Sequence, residues 1–280
     1  MEKNAKIYIA GHNGLVGSAI VRELKKEGYS NLVFISSREL DLRDQKATKD
    51  FFAKEKPQYI FLAAAKVGGI KANIENPAEF IYDNIQIQNN VINFAWKYKA
   101  KKLLFLSSNC IYPKEAPQPY KEESILSGLP EPTNEYYAIA KLAGMKLCSA
   151  YNIQYQTKFI VAIPASLFGP NDNFDPSTSH LVPALIKKFH DAKKNNLKEV
   201  ALWGTGLPRR EIMHVDDAAK ACIFLMNNYD SSDPINIGMG KDFTIKEIAE
   251  IIKNIVGFKG IITQDTTKPD GIKRKLLDSD

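Results

Sequence analysis

The chain has 280 residues, with 38 Lys and Arg against 32 Asp and Glu, giving a formal charge of +6. Its 44% hydrophobic and 25% charged content is that of an ordinary globular protein, which excludes a disordered or fibrous one, and a chain this long can bury a full core. A charge of +6 suits an anionic small molecule, whereas nucleic-acid binding needs a concentrated basic and aromatic stripe that is not visible here.

From the N-terminus, Lys6–Ala10 reads as a strand, Leu15–Glu27 as a helix and Asn31–Ser36 as a strand. The helix Asp44–Lys54, the strand Tyr59–Leu62, the long helix Pro77–Tyr98 and the strand Lys102–Leu106 follow. Tyr137–Tyr151 reads as another helix and Lys158–Ala162 as another strand. Strict alternation of this kind predicts an α/β fold, a Rossmann-type doubly wound parallel sheet covered on both faces.

Past Pro164 the rhythm changes. Gly169–Ser179 is crowded with Pro, Asn, Asp and Ser and reads as a long loop, of a length that usually carries function. A basic helix at Val182–Asn195, a strand at Glu199–Trp203, a turn at Gly204–Pro208 and a helix at Val215–Asn227 come next. The short strand Pro234–Ile237 and the helix Thr244–Val256 complete what reads as a smaller α+β lobe. The expected division is residues 1–165 as a dinucleotide-binding domain, with 212–227 packing back on it, and 166–280 as a substrate lobe.

Cys110, Cys148 and Cys222 are odd in number and widely spaced, which fits neither a disulfide framework nor a zinc site and implies a reducing compartment. No metal centre is expected. The apolar run Ile7–Ala10 is too short for a signal peptide or a membrane span, so the reading is a cytoplasmic protein without membrane contact.

The first turn reads Gly11-His12-Asn13-Gly14-Leu15-Val16-Gly17, directly after a strand and opening a helix. In that context, glycines at 11 and 14 let the backbone approach a pyrophosphate at the helix N-terminus, and Gly17 lets helix and strand pack closely. The end of the second strand carries Ser36-Ser37-Arg38 where an acidic residue would bind the ribose of NAD. Hydroxyls and a guanidinium suit a 2′-phosphate, so NADP is the expected cofactor, with a solvated Arg38–Glu39 pair as the bland alternative.

Tyr137 and Lys141 stand four apart on one helical face, and Ser107 and Ser108 follow the strand Lys102–Leu106. A ketone that receives hydride becomes an alkoxide and needs a proton donor. A Tyr hydroxyl beside an ammonium can supply the proton, and a Ser hydroxyl can hold the developing oxyanion. Tyr136 is a rival, but the spacing to Lys141 selects Tyr137.

These features resemble the extended short-chain dehydrogenase/reductase superfamily. More narrowly, Ile9–His12, Leu62–Ile70, Cys110–Lys114, Glu131–Glu135, Phe168–Phe174 and Lys268–Gly271 resemble the GDP-L-fucose synthase family, in order and over nearly the whole chain. The resemblance implies reduction by Ser108, Tyr137 and Lys141, and epimerisation by a base Cys110 and an acid His180. It extends the NADP(H) set, beyond the glycine turn with Asn13, Leu15 and Val16 and beyond Ser37 and Arg38, to Asp41, Leu42, Ala63, Ala64, Ala65, Tyr137, Lys141, Pro164 and His180. For the GDP-sugar it implies contacts from Lys188, Trp203, Arg210 and Lys275, although Lys187, Lys188, Lys193 and Lys194 also read as a solvated helix face. It further implies a homodimer built through a four-helix bundle.

Three departures from the family pattern matter. Ser166 stands where relatives carry an amide, which opens the alternative of a GDP-4-keto-6-deoxyheptose or another GDP-4-keto sugar, with epimerisation altered or lost. Asn13 replaces a basic residue of many relatives and leaves Arg38 with more of the 2′-phosphate. Relatives continue for a few tens of residues past Asp280, so a less fully closed substrate lobe is expected. Nucleotide-sugar 4,6-dehydratases, similar in fold, carry Thr-Asp-Glu where Ser108-Asn109-Cys110 stands, which argues against a dehydratase.

Overall fold

The structure is a computed structural model that describes residues 1–175, 178–268 and 270–279. Pro176 and Ser177 of the expected long loop, Pro269 of the Lys268–Gly271 segment and the terminal Asp280 lie outside the described residues. The first half contains β1 (Ile7–Ala10), α1 (Leu15–Lys26), β2 (Leu32–Val33), α2 (Gln45–Glu55) and β3 (Tyr59–Leu62). It continues with α3 (Ile70–Glu75), α4 (Pro77–Lys97), β4 (Lys102–Leu106), α5 (Glu135–Tyr155) and β5 (Phe159–Pro164). The second half contains β6 (Ser166–Phe168), α6 (Leu181–Lys194), β7 (Glu199–Trp203), β8 (Arg209–Arg210), β9 (Ile212–His214) and α7 (Val215–Asn228). After these come β10 (Ile235–Ile237), β11 (Phe243–Thr244), α8 (Ile245–Val256), β12 (Ile261–Asp265) and β13 (Arg274–Lys275).

Six strands form one parallel sheet in the order β10-β5-β4-β3-β1-β2. Every residue of β4 and β5 is buried, as expected of parallel strands covered by helices on both faces. The strand order reverses between β1 and β3, which opens a crevice beyond their carboxyl ends. The glycine turn leaves β1 at that crevice, and Ala63–Ala65 leaves β3 beside it.

A second apolar cluster joins Val182, Leu185 and Phe189 of α6, Val200 and Leu202 of β7, Ile248, Ala249 and Ile252 of α8, and Phe258. The start of α8 is fixed by a reciprocal capping box between Thr244 and Glu247, and its end by Gly257 at φ 74°. α7 lies against α1 and enters the larger core through Val215, Ala219, Cys222 and Ile223. No helix among the described residues is long and apolar enough to cross a membrane.

The structure departs from the sequence reading in four places. β2 ends at Val33 rather than Ser36, because the Ser36 amide and hydroxyl turn to the Glu39 carboxylate at 3.1 and 2.6 Å. The six-residue α3 precedes Pro77, where the reading had no element. The strands β6, β8, β9, β11 and β13, of two or three residues, and the five-residue β12 were not read; their partners are distant in sequence. Finally, β10, read as part of the smaller lobe, pairs with β5 at the edge of the large sheet.

The last turn of chain also returns to the larger body. Leu277 is bridged to Tyr120, and its amide donates to the Glu211 carboxylate at 2.9 Å. Glu211, 1% exposed, also accepts from the Gly240 amide at 2.9 Å. A buried carboxylate held by backbone donors in this way fixes β8, the segment after β10 and the C-terminal strand relative to one another.

Candidate active site

At the glycine turn, Gly11 has φ +86°, and a Cβ there would lie 2.8 Å from the Ala64 amide nitrogen. A Cβ on the buried Gly17 would overlap the Gly11 carbonyl. The helix therefore presses against the turn, and the turn against the backbone of Ala63 and Ala64. Gly14 differs: it is exposed, caps α1 with no side chain, and a Cβ there would make only ordinary contact at 3.5 Å. The first amides of α1 are thus free of a side-chain acceptor, with Asn13 exposed beside them and Leu15 and Val16 half-buried. An anion fits there without displacing any group of the protein.

Ser37 and Arg38 are exposed beyond β2. Glu39 takes its hydrogen bonds from Ser36, so the Arg38–Glu39 pair weighed from the sequence does not form, and Arg38 has no ion-pair partner among the described residues. Asp41 is held below its ordinary value by Arg43, whose guanidinium grips it at 2.7–3.1 Å and also reaches Asp83. Leu42 is buried, its carbonyl accepting from Asn90 at 2.8 Å. Pro164 closes β5, buried and paired with Ile237 of β10.

Beyond β4 the two serines separate. Ser107 is buried, with no hydrogen-bond partner for its hydroxyl among the described residues. Ser108 is half-buried, accepts from the Cys110 amide at 3.3 Å, and lies near enough to Tyr137 to favour its ionised form. Tyr136 is 46% exposed, whereas Tyr137 packs edge-on against Phe80 at 6.2 Å. Burial pushes the Tyr137 hydroxyl up, and the neighbouring Cys110 adds to this, while Ser108 opposes it. Lys141 is 3% exposed; its Nζ donates to the Leu106 carbonyl at 2.8 Å and lies 5.9 Å from the Tyr137 ring centre. Burial pulls the Lys141 ammonium down to about 7.

Cys110 shares this cleft. Its sulfur receives the Asn134 amide Nδ2 at 3.0 Å and faces the Lys275 Nζ at 3.8 Å. His180 stands before α6, at the mouth of the cleft, in surroundings crowded enough for desolvation to pull its ring below the ordinary value. Asp172 opposes that shift and the charge of Lys275, whose Nζ lies against the Cys110 sulfur, reinforces it. Asn134 belongs to the Glu131–Glu135 segment. Its place before a helix signals a cap, and nothing in the sequence places it against a sulfur.

Arg210 lies on β8 directly beside Lys275 of β13. Its Nη1 donates to the carbonyls of Arg209 and Ile272 at 2.7 and 2.6 Å, and its charge is felt at Tyr120, Cys110 and Asp270. Trp203 is 63% exposed at the end of β7, with the Lys268 Nζ 5.8 Å from its ring. Lys188 donates to the Ala201 carbonyl of the same strand, while Lys187 is paired with Asp191 along the helix. Arg210 and Lys275 therefore stand in the cleft, whereas Lys188 and Trp203 stand farther out along β7.

The sequence pattern of the NAD dependent epimerase/dehydratase family matches residues 7–238. The chain belongs to this family. It is 57% identical over 279 residues to a putative GDP-L-fucose synthase 2 of Arabidopsis thaliana, covering all of this chain and 85% of that protein. Among solved structures, it is similar to a GDP-6-OMe-4-keto-L-xylo-heptose reductase from Campylobacter jejuni, with TM-score 0.95, 41% identity and 99% and 91% of the two chains covered. A GDP-mannoheptose C4 reductase from the same organism, with NADP bound, matches with TM-score 0.91 and 42% identity over 99% and 91% of the two chains.

Proposed function

We propose that this member of the family is an NADPH-dependent GDP-L-fucose synthase, converting GDP-4-keto-6-deoxymannose to GDP-L-fucose. The single observation that carries the reading is the grouping of the Cys110 thiol with Lys275, Ser108, Tyr137 and the buried Lys141 beyond the carboxyl edge of the sheet, with His180 near enough for the charge of Lys275 to bear on its ring. The 57% identity to a fucose synthase over the full chain supports the choice of sugar. For the cofactor, the free α1 amides and Arg38 fit a dinucleotide with a 2′-phosphate, and NADP in the Campylobacter jejuni relative supports the same choice. Gly11, Gly14 and Gly17 with Asn13, Leu15 and Val16 would hold the pyrophosphate. Ser37 and Arg38 would hold the 2′-phosphate, Asp41, Leu42 and Ala63–Ala65 would line the adenosine side, and Pro164 and His180 the nicotinamide side.

The C4 ketone acidifies the protons on C3 and C5 of the sugar. Cys110, as thiolate, takes each proton, and His180 returns one to the opposite face, which inverts the carbon. Each enolate carries its charge at the C4 oxygen, where the hydroxyls of Ser108 and Tyr137 hold it. The cofactor, when bound in the crevice, would supply the hydride for C4. Tyr137 then gives its proton to the C4 oxygen, with Lys141 as cation favouring the phenolate left behind. Arg210 and Lys188 would meet the diphosphate and Trp203 would pack near the guanosine, with Lys275 as a further contact.

The test is NADPH oxidation by the full chain with GDP-4-keto-6-deoxymannose against a GDP-4-keto-6-deoxyheptose. Faster turnover of the hexose, with GDP-L-fucose as product, is expected. Ser166 on β6, standing where the family pattern has an amide, favours a second reading, a GDP-4-keto-heptose C4 reductase with reduced epimerisation, as do the names of the two Campylobacter jejuni relatives. Faster turnover of the heptose would select it.

The same reading gives residues 1–165, with 212–227 packed back on them, to the cofactor and the rest of 166–280 to the sugar nucleotide, in a cytoplasmic homodimer. Three free cysteines fit a reducing setting. Exposed Tyr82 of α4 and Ile139 and Ile153 of α5 fit a helix face covered by a second copy. Sedimentation at a single mass of two chains is the expected result.

A further inference from the structure

Asn134 sits immediately before α5, where an Asn side chain normally accepts a hydrogen bond from the first turn of the helix, at a gain of about 0.5–2 kcal/mol. It makes no such bond. Its backbone closes a tight turn, with the amide donating to the Glu131 carbonyl at 3.1 Å. That turn aims the side-chain amide at Cys110, with Nδ2 to Sγ at 3.0 Å. The Asn134 Oδ1 is meanwhile buried without a hydrogen-bond partner among the described residues. A side chain that forgoes its cap and leaves an oxygen unpaired is held in place by its other end. An N–H bond to a neutral thiol is weak, whereas one to a thiolate is charge-assisted. Lys275 approaches the same sulfur at 3.8 Å from the C-terminal strand.

We infer that Asn134 is a positioning residue for the Cys110 thiolate, its amide N–H holding the sulfur anion toward the sugar ring, with the Lys275 ammonium as the second donor. The inference rests on the reading of Cys110 as the epimerising base. The bond it describes holds the sulfur in one orientation and keeps one of its lone pairs directed at the C3 and C5 protons. When the thiolate takes a proton it becomes a thiol, the amide bond weakens, and the sulfur is free to release that proton to solvent.

The experiment uses the full chain and two variants whose side chains are themselves good helix caps. Asn134→Asp is nearly isosteric but replaces the donor by a carboxylate, and Asn134→Ser brings a short cap that cannot reach the sulfur. Two profiles against pH are recorded: alkylation of Cys110 by iodoacetamide, and deuterium uptake from solvent at C3 and C5 of the GDP-4-keto sugar. Cys148 and Cys222 are fully buried and silent to alkylation. In both variants alkylation and uptake are expected to be slower at neutral pH, uptake by about tenfold or more, with NADPH affinity unchanged. Profiles that superimpose on those of the parent protein would overturn the inference. Cys110→Ser separates its failure from that of the underlying reading: uptake surviving in that variant removes the base role itself, whereas the alkylation profiles still report the Asn134–thiol contact.

Discussion

The Lys141 ammonium donates to the Leu106 carbonyl at 2.8 Å, which ties α5 to the last residue of β4, two positions before Ser108. Burial brings this lysine down to about 7, so above that pH it is neutral in the free protein. An anionic dinucleotide favours the cation. Binding of NADPH is therefore expected to take up a proton above pH 7, and affinity to fall as the pH rises. Calorimetry in two buffers of different ionisation enthalpy reads the uptake directly, and Lys141→Met should abolish it. The sign for stability follows from the same depression. Between about 7 and 10.5 the unfolded chain binds the proton and the folded one does not, so this group makes stability rise with pH across that window.

Tyr137→Phe removes the proton donor for the C4 oxygen and leaves the ring packed on Phe80. NADPH oxidation should fall by about 10²–10⁴-fold, with melting temperature little changed. Ser108→Ala should weaken both reduction and exchange at C3 and C5, because the same hydroxyl serves the enolate and the alkoxide. Steady-state kinetics with parallel exchange measurements check both variants.

Two glycines of one turn should fail differently. At Gly17 a Cβ would overlap the Gly11 carbonyl, a backbone atom that cannot swing aside, so Gly17→Ala should cost about 1–3 kcal/mol or more in denaturant unfolding. At Gly14 the added methyl meets only ordinary contacts, and Gly14→Ala should fold normally while weakening NADPH binding where the methyl approaches the pyrophosphate.

Arg38 is exposed and without an ion-pair partner among the described residues, so Arg38→Ala should leave the fold intact. Losing one charge-assisted contact of about 1.5–3 kcal/mol predicts a 10–100-fold rise in KM for NADPH and little change for NADH. The ratio of the two KM values is the readout.

The alternation of apolar runs was enough to read the parallel sheet, because strands buried on both faces announce themselves as continuous hydrophobic stretches such as Leu103–Leu106 and Phe159–Pro164. The short strands of the smaller lobe carry no such signal. Arg209–Arg210 is a strand only because Lys275 and Phe243 come to lie beside it, and local pattern cannot supply those partners. The same limit applies at the site. Tyr137 and Lys141 are legible from their helical spacing, and Ser108 from the end of its strand. The approach of Lys275 to Cys110 joins positions 165 residues apart, and the turning of Asn134 away from its helix depends on that sulfur being there.

The most direct test is the reaction of the full chain with GDP-4-keto-6-deoxymannose and NADPH in deuterated water, read by NMR of the product. Oxidation of NADPH with deuterium at both C3 and C5, lost from both carbons in Cys110→Ser, is the predicted result. NADPH oxidation without deuterium at either carbon would contradict the epimerising pair and leave a reductase alone.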